Sequence, residues 1–149
     1  MTKPPVSFGQ TLANAEQTLT ATLRRHLAER ETTPETWYAL QVIAIYGPRL
    51  ARQALSDRLE GSRTLNPESV RELLARLKAE GLIRGDAQVD LTAEGEALHR
   101  SLREYIAGPT ARLLGEFPAA DIETTMRTLQ AITELAAEEL AEAGQAQAN

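Results

Sequence analysis

The chain has no cysteine, which excludes disulfides, thiolate-bound zinc, iron-sulfur centres and thiol-based redox sensing. Aromatic residues are scarce: two Phe, three Tyr and one Trp in 149 residues, against an abundance of Ala, Leu and Glu, a balance that favours helices over a β-sandwich. Long apolar runs are missing as well. The longest, Ala39 to Tyr46, is interrupted by Gln41 and falls far short of a membrane span, and the opening MTKPPVSFGQ lacks an apolar stretch of signal-peptide length. A soluble, cytoplasmic protein with no membrane partner is expected. There is no glycine-rich phosphate cradle, and no nucleophile stands in a recognisable elbow or triad. His26 and His99 lie in separate helical segments without neighbours at metal-ligand spacing. An enzyme is therefore the least attractive class, and no catalytic residue, metal ligand or cofactor is assigned. A metal site assembled in space from the histidines and the many glutamates is left open.

Positive charge is also in deficit, 16 basic against 21 acidic residues for a net −5, which argues against a nonspecific nucleic-acid coat. Its distribution is uneven. From Arg49 to Arg84 eight basic residues face five acidic ones, +3, and the rest of the chain carries −8. From Gly115 onward Arg127 is the only base, against seven acids. A DNA-facing middle with a solvent-facing or partner-facing end fits this split, as does a merely solvated surface.

Residues 63–95 hold three local signals in a row. Asn66 is a good N-cap and Pro67 suits the first helical turn. Val70, Leu73, Leu74 and Leu77 then recur on one face of a 3.6-residue period, predicting an amphipathic helix that ends near Gly81. Leu82 to Arg84 and Ala87 to Leu91 can pair across a two-residue Gly85-Asp86 turn, and Thr92 starts another helix. Since a lone two-stranded hairpin does not persist in water, it must lie on helices. Two helices joined by an irregular loop are the plainer reading of the same stretch.

Before this stretch, a first helix is expected from about Phe8 to Arg30. A second opens at Thr33-Pro34 and ends before Gly47-Pro48, and a third runs from Leu50 to Leu59. After it, Gly108-Pro109 should kink or end the helix begun near Thr92, and a last helix is expected from about Ala119 to Ala143 with a frayed tail. The first and last helices exceed what one small domain needs, so a two-fold homodimer through them is expected; a self-contained six-helix monomer is the alternative. One domain spans 1–149, with a winged helix-turn-helix lobe at about 34–92 and dimerisation helices at about 8–30 and 93–143. The fold class is mainly α, with a short two-stranded wing.

The order TPETWYALQVIAIYG, LARQALSDRLEG, NPESVRELLARLKAEGLI, short hairpin and LTAEGEALHRSL resembles the MarR family of winged-helix transcriptional regulators across nearly the whole chain. The more specific pieces are ESVRELLARLKAEGLI, similar to the family's recognition helix and its exit, and LTAEGEAL, similar to the sequence leaving its wing; other winged-helix families share versions of both. The resemblance implies a homodimer that sets two recognition helices in successive major grooves of double-stranded DNA. Repression in such proteins is often relieved by a small aromatic ligand. Two departures stand out. The family's Asp-x-Arg near the wing tip is absent, since no arginine lies two residues after Asp86, leaving Arg84 as the local candidate, and the turn before Asn66 is a few residues longer than usual.

A helix in the major groove presents its first turns to base edges, which singles out Thr64, Asn66, Glu68, Ser69 and Arg71. Arg71 has the fork that fits guanine, and Glu68 could accept from cytosine. Arg52, Arg58, Arg63, Arg76 and Arg84 are placed to hold the phosphate backbone. For each arginine taken alone, surface solvation or a helix pair such as Glu72 with Arg76 is an equally good reading. Trp37, Tyr38, Tyr46 and His26 are the candidate contacts for an aromatic ligand, although Trp37 also reads as a core anchor. The competing function is a winged-helix interaction module with weak or no DNA binding.

Overall fold

The computed structural model describes residues 7–61 and 65–148, in two compact units, Met1–Ile106 and Ala107–Asn149. In the first unit α1 (Phe8–Ala28) is capped by Ser7, whose hydroxyl accepts from the Gln10 N–H. Next, α2 (Pro34–Tyr46) is capped in the same way by Thr33 on the Thr36 N–H, with proline in its first turn, and ends at Gly47. After β1 (Leu50–Ala51) come α3 (Arg52–Glu60), α4 (Pro67–Ala79), β2 (Ile83–Arg84), β3 (Gln88–Leu91) and the start of α5 (Ala93–Leu114). The core joins Leu27 of α1, Ala39, Leu40, Val42 and Ile43 of α2, and Leu55 and Leu59 of α3 to the four apolar residues of α4, with Ile83, Val89 and Leu102 closing it. This is the mainly α winged helix-turn-helix expected from the sequence, with the caps and bounds of α2 and α4 where local signals placed them.

Two details of the wing differ from expectation. Leu50 and Ala51 are not helical: they pair antiparallel with Val89 and Gln88, so the sheet has three strands in the order β1-β3-β2. Arg49, at φ +59, turns the chain into this strand and donates its N–H to the Asp90 carboxylate, while Leu50 sinks into the core. Between β2 and β3 the register is Ile83 with Leu91 and Arg84 with Asp90, which no two-residue turn permits. A Gly85-Asp86 turn would set Gln88 across from Ile83 and so on the buried face. The observed register instead puts Leu91 across from Ile83 and buries Val89 completely. Gly85 makes the turn at φ +100, where a Cβ would come within 2.0 Å of the Gln88 carbonyl oxygen.

In the second unit α5 continues through Pro109 to Leu114. Proline removes one N–H from the helix ladder, and helical bonding resumes beyond it, so Gly108-Pro109 does not end the helix. The last helix, α6 (Ala119–Ala148), outruns its expected end because its tail is mostly Ala, Glu and Gln, strong helix formers, with a single interior glycine at Gly144. None of its residues is buried, and Met126, Ile132, Leu135 and Leu140 are exposed. Among the described residues no helix is long and apolar enough to cross a membrane.

Candidate nucleic-acid interface

The interface is built on α4. Asn66 Oδ1 accepts from the Ser69 N–H at 2.8 Å, occupying the cap side chain with one of the helix's unpaired donors. Val70, Leu73, Leu74 and Leu77 face the core, which leaves Glu68, Arg71, Glu72 and Ala75 on the open side. Arg71 is exposed, and Ser69 is half-buried at the flank. Glu68 stands in the first turn, where a carboxylate is also favoured by the helix dipole.

The other arginines divide. Arg76 points from Nη2 to the hydroxyl of Thr36 at 2.8 Å, across to α2. Glu72 is not its ion-pair partner: among the described residues the ion pairs are Arg24 with Glu35 and Lys78 with Asp86. Arg58 lies over the Tyr46 ring, 3.7 Å from its centroid, a cation-π contact. Arg52 begins α3 half-buried, and its backbone N–H donates to the Ala87 carbonyl in the wing turn at 2.9 Å. Arg84 is exposed on β2. Arg63 and Thr64 lie outside the described residues.

Several contacts had no periodic signal in the sequence because they join different elements across a turn. At the wing tip the Lys78 ammonium sits 2.6 Å from Asp86 Oδ1, and this hydrogen bond holds the Asp86 carboxyl below its usual range, with Arg52 adding to the effect. The guanidinium of Arg24 forks onto both oxygens of Glu35, depressing that carboxyl in turn. Beside α4, Thr33, Glu35, Ser69, Glu72, Leu73 and Arg76 line an open cleft of about 360 Å³.

Three of the four candidate ligand contacts are spread along α2, and the fourth lies on α1. The Trp37 ring stacks on His99 of α5, with centroids 5.3 Å apart and planes 10° from parallel, and His99 Nε2 meets Gln41 Oε1 at 2.6 Å. Tyr46 lies nine residues on, roughly 13 Å along the helix axis, under Arg58. Tyr38 is exposed, and His26 is half-buried in the last turn of α1.

No family model and no curated protein matches this sequence. Solved structures do. The MarR family protein Rv2887 of Mycobacterium tuberculosis, in complex with DNA, superposes with a TM-score of 0.68 at 20% identity, covering 86% of this chain and 98% of that one. Ligand-free NadR gives 0.75 at 22% identity, covering 87% and 97%. CouR from Rhodococcus jostii, bound to p-coumaroyl-CoA, gives 0.69 at 16% identity, covering 85% and 91%. Over nearly all of its length, the chain thus has the winged-helix fold seen in a MarR family protein.

Proposed function

We propose that the protein is a sequence-specific double-stranded DNA-binding transcriptional regulator, acting as a homodimer to repress. The observation that carries this reading is α4, capped by Asn66 and backed by four buried apolar residues, holding Arg71 outward beside a three-stranded wing. Rv2887, a protein of the same fold, has been solved on DNA. In this reading Arg71 reads a base, helped by Glu68 and Ser69, while Asn66 serves chiefly as the cap that sets the helix start. Arg52, Arg58, Arg63 and Arg84 hold phosphates, and Thr64, two residues before the Asn66 cap in the sequence, is a further candidate. Arg76 braces α4 on α2. The exposed apolar side chains of α6 supply a surface for a second copy.

Fluorescence anisotropy with duplex DNA from upstream of the protein's own gene, across a salt series, tests the reading. Binding that survives competition by scrambled duplex is expected. Absence of such binding at low salt favours the second reading, a winged-helix interaction module, which the two glutamates flanking Arg71 and the carboxylate at the wing tip support.

CouR is bound to an aromatic acyl thioester, and by analogy a small aromatic effector is proposed here, with Trp37, Tyr38, Tyr46 and His26 as its candidate contacts. Because Trp37 and Tyr46 stand far apart on α2, a site at Trp37, where it stacks on His99, is favoured over a site containing all four. A panel of aromatic acids should raise the melting temperature if they bind the folded protein. No shift across the panel counts against the effector.

A further inference from the structure

We propose that Asp86 is a built-in competitor for DNA phosphate: it engages Lys78 at the wing tip, lowering affinity for DNA of arbitrary sequence while leaving base reading by α4 intact. The inference rests on the DNA-binding reading above.

Three elements meet at this point. Lys78 lies in the last turn of α4 and its ammonium is 2.6 Å from Asp86 Oδ1. Arg52 begins α3, its N–H is tied to Ala87, and its charge acts on the Asp86 carboxyl. Gly85, in a backbone conformation with no room for a Cβ, holds the turn that presents Asp86. The pair is open to solvent, with the Asp86 side chain 89% and that of Lys78 48% exposed, so an incoming polyanion can reach both. An exposed pair of this kind adds little to stability. Its larger effect is on charge: one carboxylate is paired with a cation in the basic part of the chain. A phosphate that takes Lys78 must first displace Asp86, whereas Arg71, on the open face of α4, has no carboxylate within ion-pair distance among the described residues.

Removing the carboxylate frees Lys78. Each phosphate neutralised steepens the dependence of log affinity on log salt by about 0.9. Asp86→Asn is therefore expected to steepen that slope by about one unit and to tighten binding to scrambled duplex about 3- to 10-fold at about 0.1 M salt. The gain on specific duplex should be no larger, so the specificity ratio does not rise.

The experiment is anisotropy on the full chain with upstream and scrambled duplexes across a salt series, for wild type, Asp86→Asn, Lys78→Gln and the double variant. In the Lys78→Gln background the gain from Asp86→Asn should shrink to the part due to the general loss of one negative charge. An NMR titration of Asp86 in the protein alone should show its carboxyl rising toward the ordinary aspartate range in Lys78→Gln. Weaker binding of Asp86→Asn to both duplexes would overturn the proposal, making Asp86 a pin that holds the wing in place for binding. An equal gain in both backgrounds would also overturn it, since repulsion would then not involve Lys78. If wild type binds DNA and Asp86→Asn changes neither affinity nor slope, this inference alone fails. If wild type binds neither duplex, the DNA-binding reading fails and takes this inference with it, whatever the NMR titration gives.

Discussion

The Arg76 guanidinium donates to the Thr36 hydroxyl across 2.8 Å, joining the last turn of α4 to the N-terminal turn of α2. Thr36 is buried, and Thr33 donates to the same oxygen while accepting from the Thr36 N–H. Thr36→Val keeps the shape and removes this acceptor. A loss of about 0.5–1.5 kcal/mol is expected, because Arg76 is exposed and can turn to water. Urea unfolding measures it, and an unchanged midpoint would remove the tie from the account. Arg76→Ala should likewise act on stability more than on DNA affinity.

Arg71 gives the opposite profile. It makes none of the ion pairs found among the described residues and is exposed, so Arg71→Ala should leave the unfolding midpoint within experimental scatter. Its expected effect is the loss of preference at one base position, about 1–3 kcal/mol for a forked contact with guanine. Competition binding with a set of single-base variants of the upstream duplex reads this directly. An equal loss on specific and scrambled duplex would make Arg71 a phosphate contact.

These two arginines, five residues apart on one helix, mark what was legible in the sequence. Asn66-Pro67 and Thr33-Pro34 are local signals, and both helices begin where those signals place them. The apolar period of α4 identified its buried face, and with it the open face on which Arg71 stands. The partner of Arg76 was not legible, since Thr36 lies 40 residues away and a helix pair with Glu72 satisfies the same local pattern. Strand β1 escaped for a similar reason: two residues carry no period, and Leu50 is extended because of its pairing with Val89 across the sheet. The wing register depended on which residues reach the core, a tertiary fact that overruled a plausible short turn.

Gly95 was visible only as part of a familiar motif, and the structure supplies its cause. A Cβ there would lie 2.0 Å from the Leu82 carbonyl oxygen, and Leu82 is held from both sides, by its own N–H on Leu77 and by the Thr92 N–H on its carbonyl. Alanine is the better helix former by about 1 kcal/mol, yet Gly95→Ala should be destabilising by a few kcal/mol as the start of α5 is pushed off the exit of α4. Thermal or urea unfolding decides it. A more stable variant would show that this junction can move apart without cost.

His99 links α2 to α5 through Trp37 and Gln41, and its imidazole is held below the usual value, first by burial and second by Arg103 on its own helix. Neither α2 partner is charged. The folded state thus binds fewer protons than the unfolded chain in this range, so stability falls as the pH drops through about 6.5 toward the lowered folded value and levels off beneath it. Urea midpoints between about pH 7.5 and about pH 5.5 should drop more for wild type than for His99→Gln. The single tryptophan reports the same event, because protonating the stacked imidazole should change Trp37 fluorescence. Equal pH dependence in the two proteins would assign the titration elsewhere.

Leu135 and Leu140 of α6 are 64% and 75% exposed, so replacing them removes little packing within one chain. If α6 joins a second copy, Leu135→Arg with Leu140→Arg buries charge against an apolar partner surface and should shift the protein to monomer in sedimentation experiments. Unfolding of the winged-helix lobe, followed through Trp37, should be much less affected. Binding to a duplex with two half-sites should then fall far more than binding to a single half-site, because the second recognition helix is no longer tethered at high effective concentration. A double variant that remains dimeric would place the two-fold contact on another surface, the exposed Phe8, Leu12 and Leu19 of α1 being the next to test.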